Sequence, residues 1–394
     1  MNKKTIKDID LADKRVLVRV DYNVTLDDGF AISDDTRIRQ TLPTLNYLLT
    51  KGCTLILISH LGRPEGKPDP KYSLLPVARH LKAILGKKVN FVKNYLTPAD
   101  QIKIKKFPKG SVVLLENLRF YKGEEANLPG FAKKLASLAQ VFVNDGFGVS
   151  HRAHASTVGV TQYLPSVAGL LLEREVDMIS KALDKPKKPM VSIIGGAKTE
   201  TKINLIDKLM EKSDSILLGG CIANTFLKAW GYETGRSKVD HEAVETARSL
   251  LWKASRVQCA LMLPSDVVLG NKETGFVNGV VEVNKIDPSL QVLDIGPKTK
   301  AEFGHVISRA GTIVWNGPVG LIEMKEFSRG TDFIFYAICQ NKEAVSVVGG
   351  GDTLASLRKK EYLSGITHLS TGGGAMLEFI EKGSLPGIDA LQDK

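Results

Sequence analysis

Val345-Ser346-Val347-Val348-Gly349-Gly350-Gly351-Asp352-Thr353-Leu354-Ala355-Ser356 is the stretch whose reading decides the fold. A β-branched run stops at three glycines, and an Asp-Thr pair then opens a segment of good helix formers. The pattern predicts a strand, a tight turn and a helix N-terminus. Glycine lets the backbone approach a ligand closely, and the free N–H groups of a first helical turn attract anions. Asp352 or Thr353 caps that helix, or Asp352 reaches a phosphate-bound Mg²⁺. The stretch is neither Gly-x-Gly-x-x-Gly nor Gly-x-x-x-x-Gly-Lys-Ser/Thr, so the standard nucleotide fingerprints do not apply. A plain strand-to-helix corner is the competing reading.

Outward from this stretch, the same arrangement recurs along all 394 residues. Short apolar runs end in loop residues and are followed by longer amphipathic segments, which argues for βα units and parallel sheets. In the first half the runs are Arg15–Val20, Thr54–Ser59, Ser111–Leu115 and Gln140–Val143. Their downstream ends carry Asp21-Tyr22-Asn23, His60-Leu61-Gly62-Arg63-Pro64, Glu116-Asn117-Leu118-Arg119 and Asn144-Asp145-Gly146, with His151-Arg152-Ala153-His154 shortly after. In the second half the runs are Met190–Ile194, Ser215–Leu218, Cys259–Leu263, Thr312–Trp315, Ala344–Val348 and His368–Ser370. Most of these end in glycine: Gly195-Gly196-Ala197-Lys198, Gly219-Gly220, Asn316-Gly317-Pro318-Val319-Gly320, Gly349-Gly350-Gly351 and Gly372-Gly373-Gly374. Between the halves, Val167–Leu183 has apolar residues at helical spacing and stops before Pro186, so it reads as one connecting helix.

Ligands of open parallel sheets bind beyond the carboxyl ends of the strands. One sheet offers Arg, His, Asn and Asp there; the other offers glycine. Arginine forks suit a small phosphorylated or carboxylated substrate, and glycine loops suit the phosphates and flat base of a nucleotide. Two such sites suggest phosphoryl transfer across a cleft between domains.

The bulk numbers fit a two-domain globular chain: 43% hydrophobic and 25% charged residues. No run approaches a membrane span, and the N-terminus lacks the apolar stretch of a signal peptide, so no membrane partner is expected. Cys53, Cys221, Cys259 and Cys339 are scattered and read as reduced thiols of a cytoplasmic protein. The net charge of +11 invites nucleic acid. However, the densest basic cluster, Lys103-Ile104-Lys105-Lys106, has no aromatic interleaving and reads as a solvated loop, so no nucleic-acid partner is expected.

Arg19-Val20-Asp21-Tyr22-Asn23-Val24, Ser59-His60-Leu61-Gly62-Arg63-Pro64, Glu116-Asn117-Leu118-Arg119-Phe120 and His151-Arg152-Ala153-His154 resemble the substrate motifs of the phosphoglycerate kinase family. The glycine motifs already quoted, from Gly195 to Ala375, resemble its nucleotide motifs in the same order. The resemblance runs from about Arg15 to Glu378. It implies two doubly wound α/β domains, each a parallel sheet of Rossmann-like kind, joined by a helix, with the active site in the interdomain cleft. Residues 1–170 would bind 3-phosphoglycerate and 171–378 the nucleotide, while 379–394 would return to the first domain. The implied reaction is ATP + 3-phosphoglycerate ⇌ ADP + 1,3-bisphosphoglycerate, with Mg²⁺, in a monomer that closes about a hinge.

Residue by residue, the resemblance assigns the phosphoglycerate to Asp21, Asn23, His60, Arg63, Arg119 and Arg152, with Arg37 reaching the transferring phosphoryl group. Lys198 and Lys202 would meet the nucleotide phosphates, and Gly196, Ala197, Gly220, Asn316 and Pro318 would line the nucleotide site. Glu323 would bind the ribose hydroxyls. Gly350, Gly351, Asp352 and Thr353 would take phosphate and metal, with Asp352 as the Mg²⁺ ligand. Gly373 and Gly374, at a second helix N-terminus, would face the transferred group. The chemistry agrees, because the acceptor carboxylate is already ionised at neutral pH. No general base is needed, and no base–nucleophile pair is evident.

Arg19 alternates within its strand and reads as a structural ion-pair partner. Asp145 reads as a turn residue, and His154 as a capping or packing residue. Lys198 and Lys202, four apart, would share one face if helical, where their repulsion calls for an anionic ligand. Two departures from the family stand out: Thr25 where proline is usual, and Cys221 where a third glycine is usual in the adenine slot. The alternative reading is a non-catalytic binder of an anionic metabolite, but it leaves the glycine loops, the lysine pair and Asp352 without a task.

Overall fold

The computed structural model describes residues 1–27, 29–200, 202–356 and 360–394, and only the backbone at 352, 355, 360, 361 and 363. The chain divides into two compact units, Met1–Asp177 with Lys382–Lys394, and Met178–Glu381.

Unit 1 is built on β1 (Arg15–Arg19), β2 (Thr54–Ile58), β3 (Val89–Val92), β4 (Val112–Leu115), β5 (Val141–Asn144) and β6 (Ser166–Ala168). They form one parallel sheet in the order β3-β4-β2-β1-β5-β6. Thr54-Leu-Ile-Leu-Ile58 is buried throughout, as a strand covered on both faces must be. The chain adds strands to one side of β1 and then to the other, so the order reverses between β1 and β5. Asp21 and Asn144-Asp145 leave the sheet at this reversal, where such folds place ligands.

The last residues of the chain belong to this unit. Gly387 N donates to Ser150 O at 2.8 Å, and Asn144 Nδ2 to Gly387 O at 2.9 Å. Lys4 N donates to Gln392 O at 2.8 Å, joining the two chain ends.

Unit 2 carries β7 (Met190–Ile194), β8 (Ser215–Leu218), β9 (Ala260–Met262), β10 (Asp266–Gly270), β11 (Val277–Glu282), β12 (Gln291–Ile295), β13 (Thr312–Asn316), β14 (Val345–Gly349) and β15 (His368–Ser370). Six of them form a parallel sheet, β15-β14-β13-β7-β8-β9. Its order reverses between β7 and β13, where Gly195 and Gly317 leave the sheet. The other three form a separate antiparallel sheet, β11-β10-β12. The apolar-run reading does not predict this sheet, nor β3 and β6. Val277–Glu282 is largely exposed and mixes Asn and Gly with its valines, so it lacks the buried-strand signature.

The connecting helix is Leu170–Asp184. Its first turn is capped from elsewhere in the sequence: Asp145 Oδ1 accepts from Leu171 N at 2.9 Å, and Thr44 Oγ1 from Leu170 N at 2.9 Å. Asp145 is thus more than a turn residue; it fixes where this helix starts. Burial pushes its carboxyl up to about 7, against hydrogen bonds that lower it.

Candidate active site

In unit 1, the loops after β1, β2, β4 and β5 bring Asp21, Asn23, His60, Arg63, Arg119 and Arg152 into one neighbourhood. Arg37, near the start of the helix Thr36–Thr50, joins them: its Nη1 donates to Asp21 Oδ2 at 2.9 Å and to Asn23 O at 3.3 Å. Asn23 Oδ1 accepts from Gly62 N at 2.9 Å, locking the first loop onto the second. Arg119 Nη1 donates to Gly62 O at 2.9 Å, and its Nε stands 3.0 Å from Glu125 Oε1. Burial depresses the Arg119 guanidinium pKa, and Arg152 and Arg63 press in the same direction, which places these cations beside one another. Arg63 is exposed and Arg152 half-buried, so both present charge outward.

Two histidines of this pocket are held toward the neutral form. Burial, then the charges of Arg19, Arg119 and Arg37, hold His60 well below the ordinary histidine value. His154 is lowered to about 3 by burial first and the neighbouring arginines second. Arg19 is buried in the strand and faces inward to Ser156 and Glu124. Neither Ser156 nor Glu124 is singled out by the sequence. Their only signal was charge balance, two acids at Glu124-Glu125 shortly after an arginine motif.

In unit 2, the site is made of backbone. Gly317 has φ +92°, and a Cβ there would lie 2.2 Å from Gly195 O and 2.6 Å from Lys202 Nζ. The loops after β7 and β13 therefore pass in contact only because neither has a side chain. Trp315, packed edge-on against Phe335 at 4.4 Å between centroids, donates its Nε1–H to Gly317 O at 2.8 Å. Gly196 N donates to Pro318 O at 2.7 Å. Thr353 Oγ1 accepts from Gly317 N at 2.8 Å, and Asn316 Nδ2 donates to Gly349 O at 3.0 Å, which ties the opening stretch to this turn.

Gly350, at φ +111°, leaves a cradle that a Cβ would fill, 2.9 Å from Thr353 Oγ1 and 3.1 Å from Asn316 Nδ2. Gly351 opens the short helix Gly351–Ala355, while the Asp352 side chain lies outside the described residues. Gly374 opens the helix Gly374–Lys382, and a Cβ on Gly373 would sit 4.0 Å from Gly351 N. The two glycine turns are neighbours.

The lysine pair is not helical. The helix begins at Ile203, with Lys202 at its N-cap position, and the buried Lys202 Nζ donates back to Gly195 O at 2.7 Å. Lys202 N and Ile203 N both donate to Thr199 O, at 2.9 and 3.0 Å, so the turn that opens this helix starts after Lys198 and helical spacing does not reach back to it. Lys198 stays exposed.

Beside the glycine turns lies a cavity of about 380 Å³ in which Gly196, Ala197, Gly220, Pro318 and Glu323 take part. Cys221 lines it, half-buried, at the start of the helix Gly220–Trp230. Lys202, Asn316, Gly350 and Thr353 are not among its lining residues; Thr353 and Asn316 meet at the Gly350 cradle. Asp294, which the sequence does not single out, contributes to its wall and accepts from Gly330 N at 2.7 Å and Ile295 N at 2.8 Å. Burial pushes the Asp294 carboxyl up to about 7.

Two parallel-sheet units, one with an arginine pocket and the other with a glycine-walled cavity of nucleotide size, define a phosphotransferase of the kinase class. The family described as phosphoglycerate kinase matches residues 6–383. Phosphoglycerate kinases of Dictyoglomus turgidum and Moorella thermoacetica are 48% and 47% identical to this chain, over all of both chains. The solved structure of phosphoglycerate kinase from Coxiella burnetii is 39% identical, with a TM-score of 0.85 over 98% of each chain. That from Pyrococcus horikoshii is 32% identical, with a TM-score of 0.88 over 98% of each. The chain belongs to the phosphoglycerate kinase family. Its reaction is the glycolytic transfer of a phosphoryl group between 1,3-bisphosphoglycerate and ADP, a carboxyl group serving as acceptor in reverse.

Proposed function

We propose that unit 1 binds the phosphoglycerate and unit 2 the nucleotide, and that transfer is achieved by positioning and charge neutralisation. The pairing of an arginine pocket in one unit with a glycine-walled cavity in the other carries this reading. Arg63, Arg119 and Arg152 hold the phosphate and carboxylate of 3-phosphoglycerate, with Asp21, Asn23 and His60 fixing its hydroxyl and orientation. Arg37 acts on the transferring group: its Nη1 is held by Asp21 and Asn23, which orients the rest of the guanidinium. The acceptor carboxylate needs no proton removed, so neutral His60 and His154 have no general-base role.

The nucleotide lies in the cavity of Gly196, Ala197, Gly220 and Pro318, with its ribose on Glu323. Its phosphates run to Lys202, Lys198, Asn316 and the Gly350–Thr353 turn, and Gly373 and Gly374 face the transferred group. Among the described residues no three His, Cys, Asp or Glu side chains converge on a metal position. The donor chemistry fits a Mg²⁺ shared with the nucleotide: Asp352, which follows Gly351 in the sequence, would supply a carboxylate of the kind a phosphate-bound Mg²⁺ commonly takes from a protein. When bound, the ion neutralises charge on the phosphate oxygens.

We further read the chain as a monomer acting in the cytoplasm, a compartment that suits its four free cysteines. A coupled assay with ATP and 3-phosphoglycerate tests the activity, and Arg63→Ala tests the pocket. The KM for 3-phosphoglycerate should rise while that for ATP stays the same; a rise in the KM for ATP alone would reverse the assignment of the two units.

A further inference from the structure

Behind the arginine pocket runs a buried bridge to which the mechanism above gives no task. Arg19 is 1% exposed, and its Nε donates to Ser156 Oγ at 2.8 Å. It also donates to the carbonyl oxygen of Val20. Ser156 Oγ in turn donates to Glu124 Oε1 at 2.5 Å, and Ser156 N to Glu124 Oε2 at 3.1 Å. Glu124 is fully buried on the short helix Lys122–Glu125 and lies in none of the substrate motifs.

Around this carboxylate the substrate loop is pinned residue by residue. Ala155 N donates to Glu124 O at 2.9 Å, and His154 Nδ1 stands 3.7 Å from Glu124 Oε1. Thr157 Oγ1 donates to Arg152 O at 2.6 Å, so the anchored turn carries Arg152 with it. At the other end of the bridge, Arg19 Nη2 lies 3.3 Å from His60 Nδ1. A guanidinium can only donate, so His60 Nδ1 accepts and the ring proton sits on Nε2. Glu124 also supplies the opposite charge without which a buried guanidinium would be unfavourable. Arg63 and Arg152 are left presenting their charge outward.

We propose that Glu124 is a positioning residue for the phosphoglycerate site, acting through Ser156 and Arg19 to fix the tautomer of His60 and the placement of Arg152. The inference rests on the assignment of this pocket to 3-phosphoglycerate. Ser156 is the informative link, because its hydroxyl both accepts from Arg19 and donates to Glu124.

Ser156→Ala keeps both charges and deletes the link; Glu124→Asp keeps the charge and withdraws it by one methylene. Both would be measured by steady-state kinetics with ATP and 3-phosphoglycerate, and by ¹⁵N NMR of the His60 ring. In Ser156→Ala the KM for 3-phosphoglycerate should rise about tenfold. The KM for ATP should stay unchanged, kcat should fall less than the KM rises, and His60 should lose its single Nε2–H tautomer. Glu124→Asp should show the same pattern to a smaller extent, and gives the reading if Ser156→Ala fails to fold. A folded variant with lower thermal stability but unchanged KM and tautomer would overturn the proposal, leaving the bridge a purely structural element. Arg63→Ala separates the two failures. If it too leaves the KM for 3-phosphoglycerate unchanged, the pocket's assignment falls; if it raises that KM and Ser156→Ala does not, only the positioning role falls.

Discussion

On the proposed reading, the two units bind anions by opposite means. Unit 1 uses charged side chains: Arg37, Arg63, Arg119 and Arg152, aligned by Asp21, Asn23 and the carbonyl of Gly62. Unit 2 uses the lack of side chains, with loops that touch at Gly195 and Gly317 and a buried ammonium, Lys202, folded onto them. The difference teaches what each half tolerates. A charge-built site loses function when a charge is removed, whereas a backbone-built site loses it when an atom is added.

The most severe test of that contrast is Arg37→Ala. It removes a charge held in place by Asp21, and kcat should fall on the order of 10³-fold by analogy with arginine fingers. The KM values should change far less, and steady-state assays in both directions would show the split. A change in KM alone would remove Arg37 from the transition state.

Gly317→Ala is the converse, since it adds one carbon where 2.2 Å separates the Cβ position from Gly195 O and φ is +92°. Unit 2 should lose about 3 kcal/mol of stability. ADP binding should weaken while 3-phosphoglycerate binding is retained, which denaturant titration and calorimetry would measure separately. Equal stability would mean that the glycine contact is not what shapes the turn.

A third test concerns what the halves share. Each has a buried aspartate whose oxygens accept backbone N–H groups near a helix start, Asp145 in unit 1 and Asp294 in unit 2, and burial pushes both up to about 7. The ordinary value is 3.8, so between these limits the folded chain holds protons that the unfolded chain has released. That contribution to stability is fully present below the ordinary value and is lost as the pH rises through about 7. Asp145→Asn should therefore reduce the fall in stability between about pH 5 and about pH 8, by up to about 2 kcal/mol. Urea titrations at both pH values would show it, and an undiminished fall would place the titration elsewhere.

Cys221→Gly carries the smallest expected effect. Its side chain lines the cavity proposed for the nucleotide, and removing it should change ATP affinity severalfold, on the order of 1 kcal/mol. Equal affinity in the variant, measured by calorimetry, would take Cys221 out of nucleotide selection.

Most strands of the parallel sheets, though not the edge strands β3 and β6, were legible in the sequence because buried strands such as Thr54–Ile58 and Met190–Ile194 are continuous apolar runs. The three-stranded sheet of β10, β11 and β12 was not, since its largely exposed edge strand β11 reads like a loop. Of the site, the arginine motifs and glycine turns stand out because each sits at a strand end. The long-range partners do not. Asp145 meets Leu171, and Glu124 meets Ser156, across separations that no local pattern records. Lys202 shows the limit of spacing alone: four residues from Lys198 suggest one helical face, yet the helix begins only at Ile203, with Lys202 at its cap.

The central claim is that each unit binds its own ligand, and amide NMR of the whole chain tests it most directly. Added alone, 3-phosphoglycerate should shift signals of Asn23, Gly62 and Arg119 and leave those of Gly196, Gly220 and Gly350 in place, while ADP alone should do the reverse. Shifts of the glycine turns by 3-phosphoglycerate, or of the arginine loops by ADP, with the other set unmoved, would contradict the division of the site.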